Sequence, residues 1–316
     1  MPDSRIASAS SALAFDGVSK RYATGPAVRG LSFAVERGEM FGLIGPDGAG
    51  KTTTIRLACG LLEPDKGSIR VLGLDPAADH RRLTGLVGYL SQRFSLYGDL
   101  SVDENIAFFA EVHGVRRYEA RRDRLLEVTQ LAPFRTRLAD RLSGGMKQKL
   151  ALACTLVHDP QILLLDEPTT GVDPISRREF WKLLSELLAD GITIVMATPY
   201  LDEAERCGRV ALLHTGRLLA VDRPAALRAS LGGVLYEVAA SDHRRAAAVL
   251  RSVPGADVQL FGDRVHVRFA GEEAGAAARI DAALRAAGLS AAIRPAPPSL
   301  EDVFIARVAS LEPAGA

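Results

Sequence analysis

The chain holds no apolar run of about 18 residues or more, so nothing in it predicts a helix that spans a membrane by itself. Cysteine is scarce. Cys59, Cys154 and Cys207 are widely spaced, odd in number and free of any C-x-x-C pattern. That argues against a disulfide framework and against a cysteine-built metal or redox motif, and fits a reduced cytoplasmic setting. Charge of one sign is also lacking: 39 basic and 38 acidic residues leave a formal charge of +1. A protein built to coat nucleic acid shows a basic excess, so that partner is not expected. Only six residues are Lys and the other basic ones are Arg. With the abundant Ala and Gly, this is a compositional bias that says little about function. There is no internal repeat and no heptad array. The Ser/Ala-rich stretch Met1–Leu13 has no basic flank followed by an apolar run, so it reads as a flexible arm and not as a secretory signal.

What is present is ordinary globular material. Apolar residues make up 47% and charged residues 24% of 316 positions, enough for a real core and for two units. From Ala14 to Leu231 the chain alternates strand-like and helix-like stretches, the pattern of an α/β domain. Compact apolar runs at Met40–Ile44, Ile162–Leu165 and Ile192–Ala197 predict parallel strands buried on both faces. Helices are predicted at Lys51–Leu61, Ser143–Val157 and Ser176–Leu188. Beyond Gly232-Gly233 the order becomes strand (Leu235–Ala239), helix (His243–Arg251), strand (Val258–Phe261), strand (Val265–Phe269), helix (Glu272–Ala287), strand (Ala291–Arg294). That βαββαβ order is the ferredoxin-like pattern. Pro297-Pro298 breaks the chain, and Ser299 with Asp302 predicts a capped helix start. The expected division is therefore 1–13, 14–231 with a helical subdomain near 93–158, and 232–316.

Three stretches carry chemistry. Gly45-Pro46-Asp47-Gly48-Ala49-Gly50-Lys51-Thr52 fits G-x-x-x-x-G-K-[ST], after a strand and opening a helix. Phosphate oxygens need several backbone N–H groups turned inward, which a glycine-rich loop before a helix N-terminus supplies. Lys51 would reach the β- and γ-phosphates, and Thr52 would place its hydroxyl on Mg²⁺. A chance match in a Gly-rich chain is the bland alternative, and the strand–loop–helix context argues against it. The run Ile162-Leu163-Leu164-Leu165 ends in Asp166-Glu167, which delivers two carboxylates to the sheet edge. Asp166 would hold the Mg²⁺ shell, and Glu167 would orient or deprotonate the attacking water. Adjacent acids at a strand end also serve as helix caps, and Pro168-Thr169 follows. Leu142-Ser143-Gly144-Gly145-Met146-Lys147-Gln148 opens a predicted helix, where hydroxyl, backbone donors and dipole can meet a phosphate, or can simply cap.

In this order and spacing, the three stretches resemble the nucleotide-binding subunit of ATP-binding cassette (ABC) transporters, with Leu-Ser-Gly-Gly-x-x-Gln as that family's signature. The resemblance implies a P-loop NTPase fold of the ABC type over Ala14 to Leu231, with the ferredoxin-like segment as a small C-terminal α+β domain. It implies ATP and Mg²⁺ as ligands. Nucleotide contacts fall on Gly45, Pro46, Asp47, Gly48, Ala49, Gly50, Lys51, Thr52 and Thr53, and Tyr22 looks like the aromatic that stacks on adenine. Gln92 resembles the glutamine that contacts Mg²⁺ and γ-phosphate, and its loop Arg93–Leu100 resembles the one that touches the membrane partner. Asp173 resembles the aspartate that couples two sites of a dimer. Catalysis would rest on Glu167, Lys51 and Gln92, and Mg²⁺ on Thr52, Gln92 and Asp166.

The family places two such domains head to tail, so Ser143, Gly144 and Gly145 of one would cover the ATP held by Lys51 of the other. The tail Pro298-Ser299-Leu300-Glu301-Asp302-Val303-Phe304 is similar to ATPases of bacterial drug and lipid export, including the daunorubicin-resistance type. An integral-membrane permease and a second ATPase subunit are the implied partners, with the chain peripheral on the inner face of the cell membrane. Two departures stand out. Asp47 replaces a commoner Asn and is unfavourable near phosphate unless it faces away. Pro199 stands where a His would contact γ-phosphate. Retained Glu167 favours a transport ATPase. Pro199 favours a nucleotide-gated regulatory or assembly subunit that hydrolyses weakly, or a heterodimer whose other chain carries the His.

Overall fold

The computed structural model describes residues 11–92, 95–271 and 275–311. They form two compact units that divide between Pro224 and Ala225. The first unit begins with two long antiparallel strands, β1 (Ser11–Tyr22) and β2 (Gly25–Glu36), followed by β3 (Met40–Ile44) and α1 (Lys51–Ala58). Then come β4 (Lys66–Val71), the short α2 (His80–Leu83) and β5 (Val87–Leu90). Three helices follow, α3 (Val102–Val112), α4 (Glu119–Val128) and α5 (Gly144–Leu156), within the stretch expected to be helical. The unit closes with β6 (Ile162–Asp166), α6 (Pro174–Ala189), β7 (Thr193–Thr198), α7 (Leu201–Ala204), β8 (Arg209–His214) and β9 (Arg217–Asp222).

Six strands form a sheet in the order β5-β6-β7-β3-β8-β9, parallel except for β9. Every residue of β3, β6 and β7 is buried, as their uninterrupted apolar runs demand. A second sheet, β2-β1-β4, is antiparallel. Stacked rings of Phe15, Phe33 and Phe41 carry the core from that sheet onto β3, with centroids 4.9 and 5.5 Å apart.

The parallel register positions the site. Ile44 pairs with Thr198, Asp166 with Ala197, and Leu90 with Leu165. The chain segments leaving β3, β5, β6 and β7 therefore emerge side by side at one sheet edge, the carboxyl ends of parallel strands, where α/β sheets bind ligands.

The opening arm is shorter than expected. Ser11, Ala12 and Leu13 belong to β1, where pairing with β2 and β4 buries Ala12 and Leu13, and Met1–Ser10 lie outside the described residues. Helix α1 ends at Ala58, not Leu61, while α6 starts two residues early because Asp173 caps it and Pro174 suits its first position.

In the second unit, after α8 (Pro224–Ala229) at its start, come β10 (Val234–Ala240), α9 (His243–Leu250), β11 (Ala256–Phe261), β12 (Arg264–Phe269), α10 (Ala276–Ala286), β13 (Ala291–Pro295) and α11 (Leu300–Ala309). The strand order is β11-β12-β10-β13, every neighbour antiparallel. Val265, Val267 and Phe269 alternate with polar residues along β12 and share a core with Leu250 of α9 and Ile280 and Leu284 of α10. The expected helix start at Glu272 lies outside the described residues. Ser299 and Asp302 form a reciprocal capping box at α11, and Asp302 also bonds His266 Nδ1 at 2.8 Å. Among the described residues, no helix is long and apolar enough to cross a membrane.

Candidate functional site

A cavity of about 480 Å³ opens at the sheet edge. Its lining comes from the loop before and the start of α1 (Asp47, Gly48, Gly50, Lys51, Thr52 and Thr53), from the segments after β5 and β6 (Gln92, Glu167 and Thr170), from the segment after β7 (Pro199 and Tyr200) and from Ala27 of β2. The loop is shaped by its own backbone. Gly50 turns at φ +100°, and a Cβ there would come within 2.5 Å of the Ala27 carbonyl oxygen, so glycine is required both for conformation and for space. Gly45 N–H donates to Thr198 O at 3.4 Å and Ala49 N–H to Pro46 O at 3.1 Å, which fixes the loop between β3 and β7. Asp47 is among the residues that line the cavity.

Lys51 is 3% exposed. Its Nζ donates to the carbonyl oxygens of Gly45 (2.8 Å) and Pro46 (3.1 Å) and ion-pairs with Glu167 Oε1 at 3.1 Å. The other carboxylate oxygen, Oε2, accepts from Gln92 Nε2 at 3.2 Å and from the Thr170 hydroxyl at 3.5 Å. Glu167 itself turns at φ +50°, in the left-handed region that non-glycine residues rarely occupy. Such strain persists where the surroundings over-determine it, and here Glu167 N–H is held by Ala197 O at 2.9 Å. Thr52 Oγ1 donates to Asp166 Oδ1 at 3.0 Å. Burial pushes the Asp166 carboxyl above the usual range and the neighbouring Glu167 charge adds to this; Thr52, Arg56 and Lys51 oppose it.

These residues fit a magnesium nucleotide. Among the described residues no group of three or more His, Cys, Asp and Glu could cage a metal. One carboxylate, a hydroxyl and a carboxamide beside this cavity match the way Mg²⁺ is held together with substrate phosphates.

The remaining sequence-derived candidates lie elsewhere. Tyr22 ends β1, is 38% exposed and does not line the cavity. Ser143 and Asp173 do not line it either; each caps a helix. Ser143 Oγ accepts from Met146 N–H at 3.3 Å, and Asp173 Oδ1 from Ile175 and Ser176 N–H at 3.1 and 2.9 Å. The two caps are neighbours, because a Cβ on Gly145 would come within 2.2 Å of Ser176 Oγ. Gly144 is open on its side-chain face. Of the loop Arg93–Leu100, Arg93 and Phe94 lie outside the described residues. Sequence reasoning missed Ala27, Thr170 and Tyr200 as lining residues, with no local signal for Ala27. The adjacency of Thr170 and Tyr200 to Glu167 and Pro199 was the available signal.

The chain is similar to known proteins. Residues 28–170 match the ABC transporter family model. The probable multidrug ABC transporter ATP-binding protein YbhF of Escherichia coli is 50% identical over 226 residues, 70% of this chain but 39% of that protein, so the matched region spans about two fifths of the relative's length. The daunorubicin resistance ATP-binding protein DrrA3 of Streptomyces coeruleorubidus is 37% identical over 81% of this chain and 82% of its own. An ATP-binding cassette solved as a dimer in a post-hydrolysis state, bound to ADP and Pi, superimposes with a TM-score of 0.60 at 27% identity, covering 67% of this chain and 98% of that one. With its phosphate loop, paired carboxylates and signature helix in the family's order, the chain belongs to the ABC transporter ATP-binding proteins.

Proposed function

We propose that the chain binds and hydrolyses ATP as a subunit of an ABC export complex, driving a separate membrane permease for drugs or lipid-like compounds. One observation carries this: Lys51, Glu167 and Gln92 meet within hydrogen-bond distance in a single glycine-walled cavity at the strand ends. Lys51, buried and anchored to two loop carbonyls, is aimed where β- and γ-phosphate oxygens would sit. Those oxygens would compete with Glu167 for the same ammonium. Glu167, released, orients or deprotonates the water that attacks the γ-phosphorus in line. Gln92 holds that carboxylate and reaches the same end of the cavity.

Thr52, Asp166 and Gln92 would hold Mg²⁺, which when bound neutralises charge on the phosphate oxygens. Ser143 accepts a hydrogen bond with its oxygen and keeps its hydroxyl proton to donate, so it can cap α5 and meet the phosphate of a facing subunit. That a similar cassette has been solved as a dimer supports a pairing of two such chains. The names of the multidrug and daunorubicin relatives support export, and the permease would place the chain at the inner face of the membrane.

Pro199 lines the γ-phosphate wall and offers no side-chain donor or N–H. A lost contact to a transferring group typically weakens transition-state stabilisation by about 3 kcal/mol. We therefore propose a heterodimer with an ATPase chain that carries the missing imidazole. The test is steady-state turnover of the purified chain alone. Slow turnover that rises about tenfold or more in Pro199→His supports the account, while full turnover by a homodimer, unchanged by Pro199→His, removes the case for a second ATPase. Calorimetry of Mg-ATP binding to Lys51→Ala adds the binding arm: wild-type affinity in that variant would contradict the assigned site.

A further inference from the structure

Glu203, on the short helix α7, is 1% exposed, and a carboxylate is not buried without partners. Its Oε1 accepts from the Thr169 hydroxyl at 2.6 Å and from Trp181 Nε1 at 3.5 Å. Its Oε2 accepts from the Thr198 hydroxyl at 2.6 Å. Thr169 lies two residues past Glu167, and Thr198 immediately precedes Pro199. The Thr198 oxygen in turn accepts from Tyr200 N–H at 3.1 Å. One carboxylate thus anchors both segments that bring Glu167 and Thr170, and Pro199 and Tyr200, to the cavity.

A third segment joins through Arg177, four residues beyond Asp173 on α6. Its guanidinium sits over the Tyr200 ring at 4.8 Å, and its Nε lies 3.9 Å from Glu203 Oε1. Arg177 Nε is buried and has no hydrogen-bond partner among the described residues. With no side-chain donor at position 199, the placement of that wall depends on the groups behind it.

We propose that Glu203 is a positioning residue of the hydrolysis site: it fixes the spacing between the Glu167 segment and the Pro199-Tyr200 wall, and through Arg177 ties that spacing to the first turn of the helix capped by Asp173. The proposal rests on the ATPase reading above.

The test compares wild type with Glu203→Gln, Thr198→Val, Thr198→Ser and Glu167→Gln in the full chain. Steady-state kcat and KM for Mg-ATP are measured, with the emission of Trp181, the only tryptophan. Glu203→Gln and Thr198→Val should lower kcat by about 10- to 100-fold with KM within about threefold, as misplaced supporting groups do. Thr198→Ser, which keeps the hydroxyl, should restore the rate. Equal kcat in Thr198→Val, Thr198→Ser and wild type would overturn the proposal, even where Glu203→Gln fails to fold. Should wild type be no faster than Glu167→Gln, the hydrolysis reading fails on its own. The positioning is then read from Trp181: an emission change on adding Mg-ATP that is lost in Thr198→Val supports it, and one that is absent in wild type or unaltered in the variant overturns it.

Discussion

Asp166 shows at the residue scale how a functional side chain works against the fold that carries it. Burial, with the Glu167 charge beside it, raises its carboxyl above the ordinary 3.8, so the folded chain holds that proton more tightly than the unfolded chain. Its contribution to stability is fullest below the unfolded value and is lost as pH rises through the folded one. At pH 7.5 the ionised carboxylate therefore weakens the fold. Asp166→Asn should melt higher than wild type at pH 7.5 without nucleotide, should lose much of that advantage near pH 3, and should bind Mg-ATP poorly. A lower melting temperature at pH 7.5 would contradict the assignment.

Lys51, Asp166, Glu167 and Gln92 were legible in the sequence because each sits at a fixed offset from a strand end, and parallel register then brings strand ends together. Glu203 was not legible. Of its two hydroxyl partners, Thr198 is near in sequence but Thr169 is 34 residues away, and its role depends on three elements meeting. No local pattern in Leu201-Asp202-Glu203-Ala204 announces burial.

Helix ends decide the next scale. The N-termini of α5 and α6 meet at Gly145 and Ser176, where an added Cβ would lie 2.2 Å from Ser176 Oγ and 2.4 Å from its Cβ. Gly145→Ala should push the two caps apart and destabilise the chain by about 1–3 kcal/mol, the usual size of overpacking, with Ser176→Gly restoring the melting temperature. An unchanged melting temperature for Gly145→Ala would show that the caps are not in contact.

A second element-scale feature lies just past α5. The His158 ring stacks on His113 at 3.8 Å, and its Nε2–H donates to Val87 O at 3.1 Å. Burial chiefly, with the charges of His113 and Arg121, lowers its pKa from 6.5 to about 4. The unfolded chain therefore takes up the proton first, and stability present above pH 6.5 falls away as pH drops toward 4. Between pH 7.5 and 5 the loss should be about 1–2 kcal/mol, and His158→Gln should flatten that slope. An identical pH dependence in the variant would contradict it.

The strands β3, β6 and β7 and the helices α1, α5 and α6 followed from apolar runs and helix-start signals, whereas β5 and α3 were not individually expected. The true start of β1 did not follow either, because Ser11–Leu13 are ordered by pairing with β2 and β4, which no alternation in that segment foretells.

At the scale of the whole molecule, two compact units account for the length that composition alone divided in two. The first carries every residue that lines the nucleotide-sized cavity. A formal charge of +1 is compatible with docking on a protein partner, since docking needs local complementarity and no large net charge. Ser143 and Asp173 lie outside the cavity, so under the proposed head-to-tail pairing they would act on the nucleotide of a second cassette. The central claim is that the cavity hydrolyses ATP and that Glu167 does the proton work. Phosphate release from Mg-ATP by wild type beside Glu167→Gln tests it most directly. The account predicts a fall of about 100-fold or more with ATP still bound by the variant; equal rates in the two proteins would contradict it.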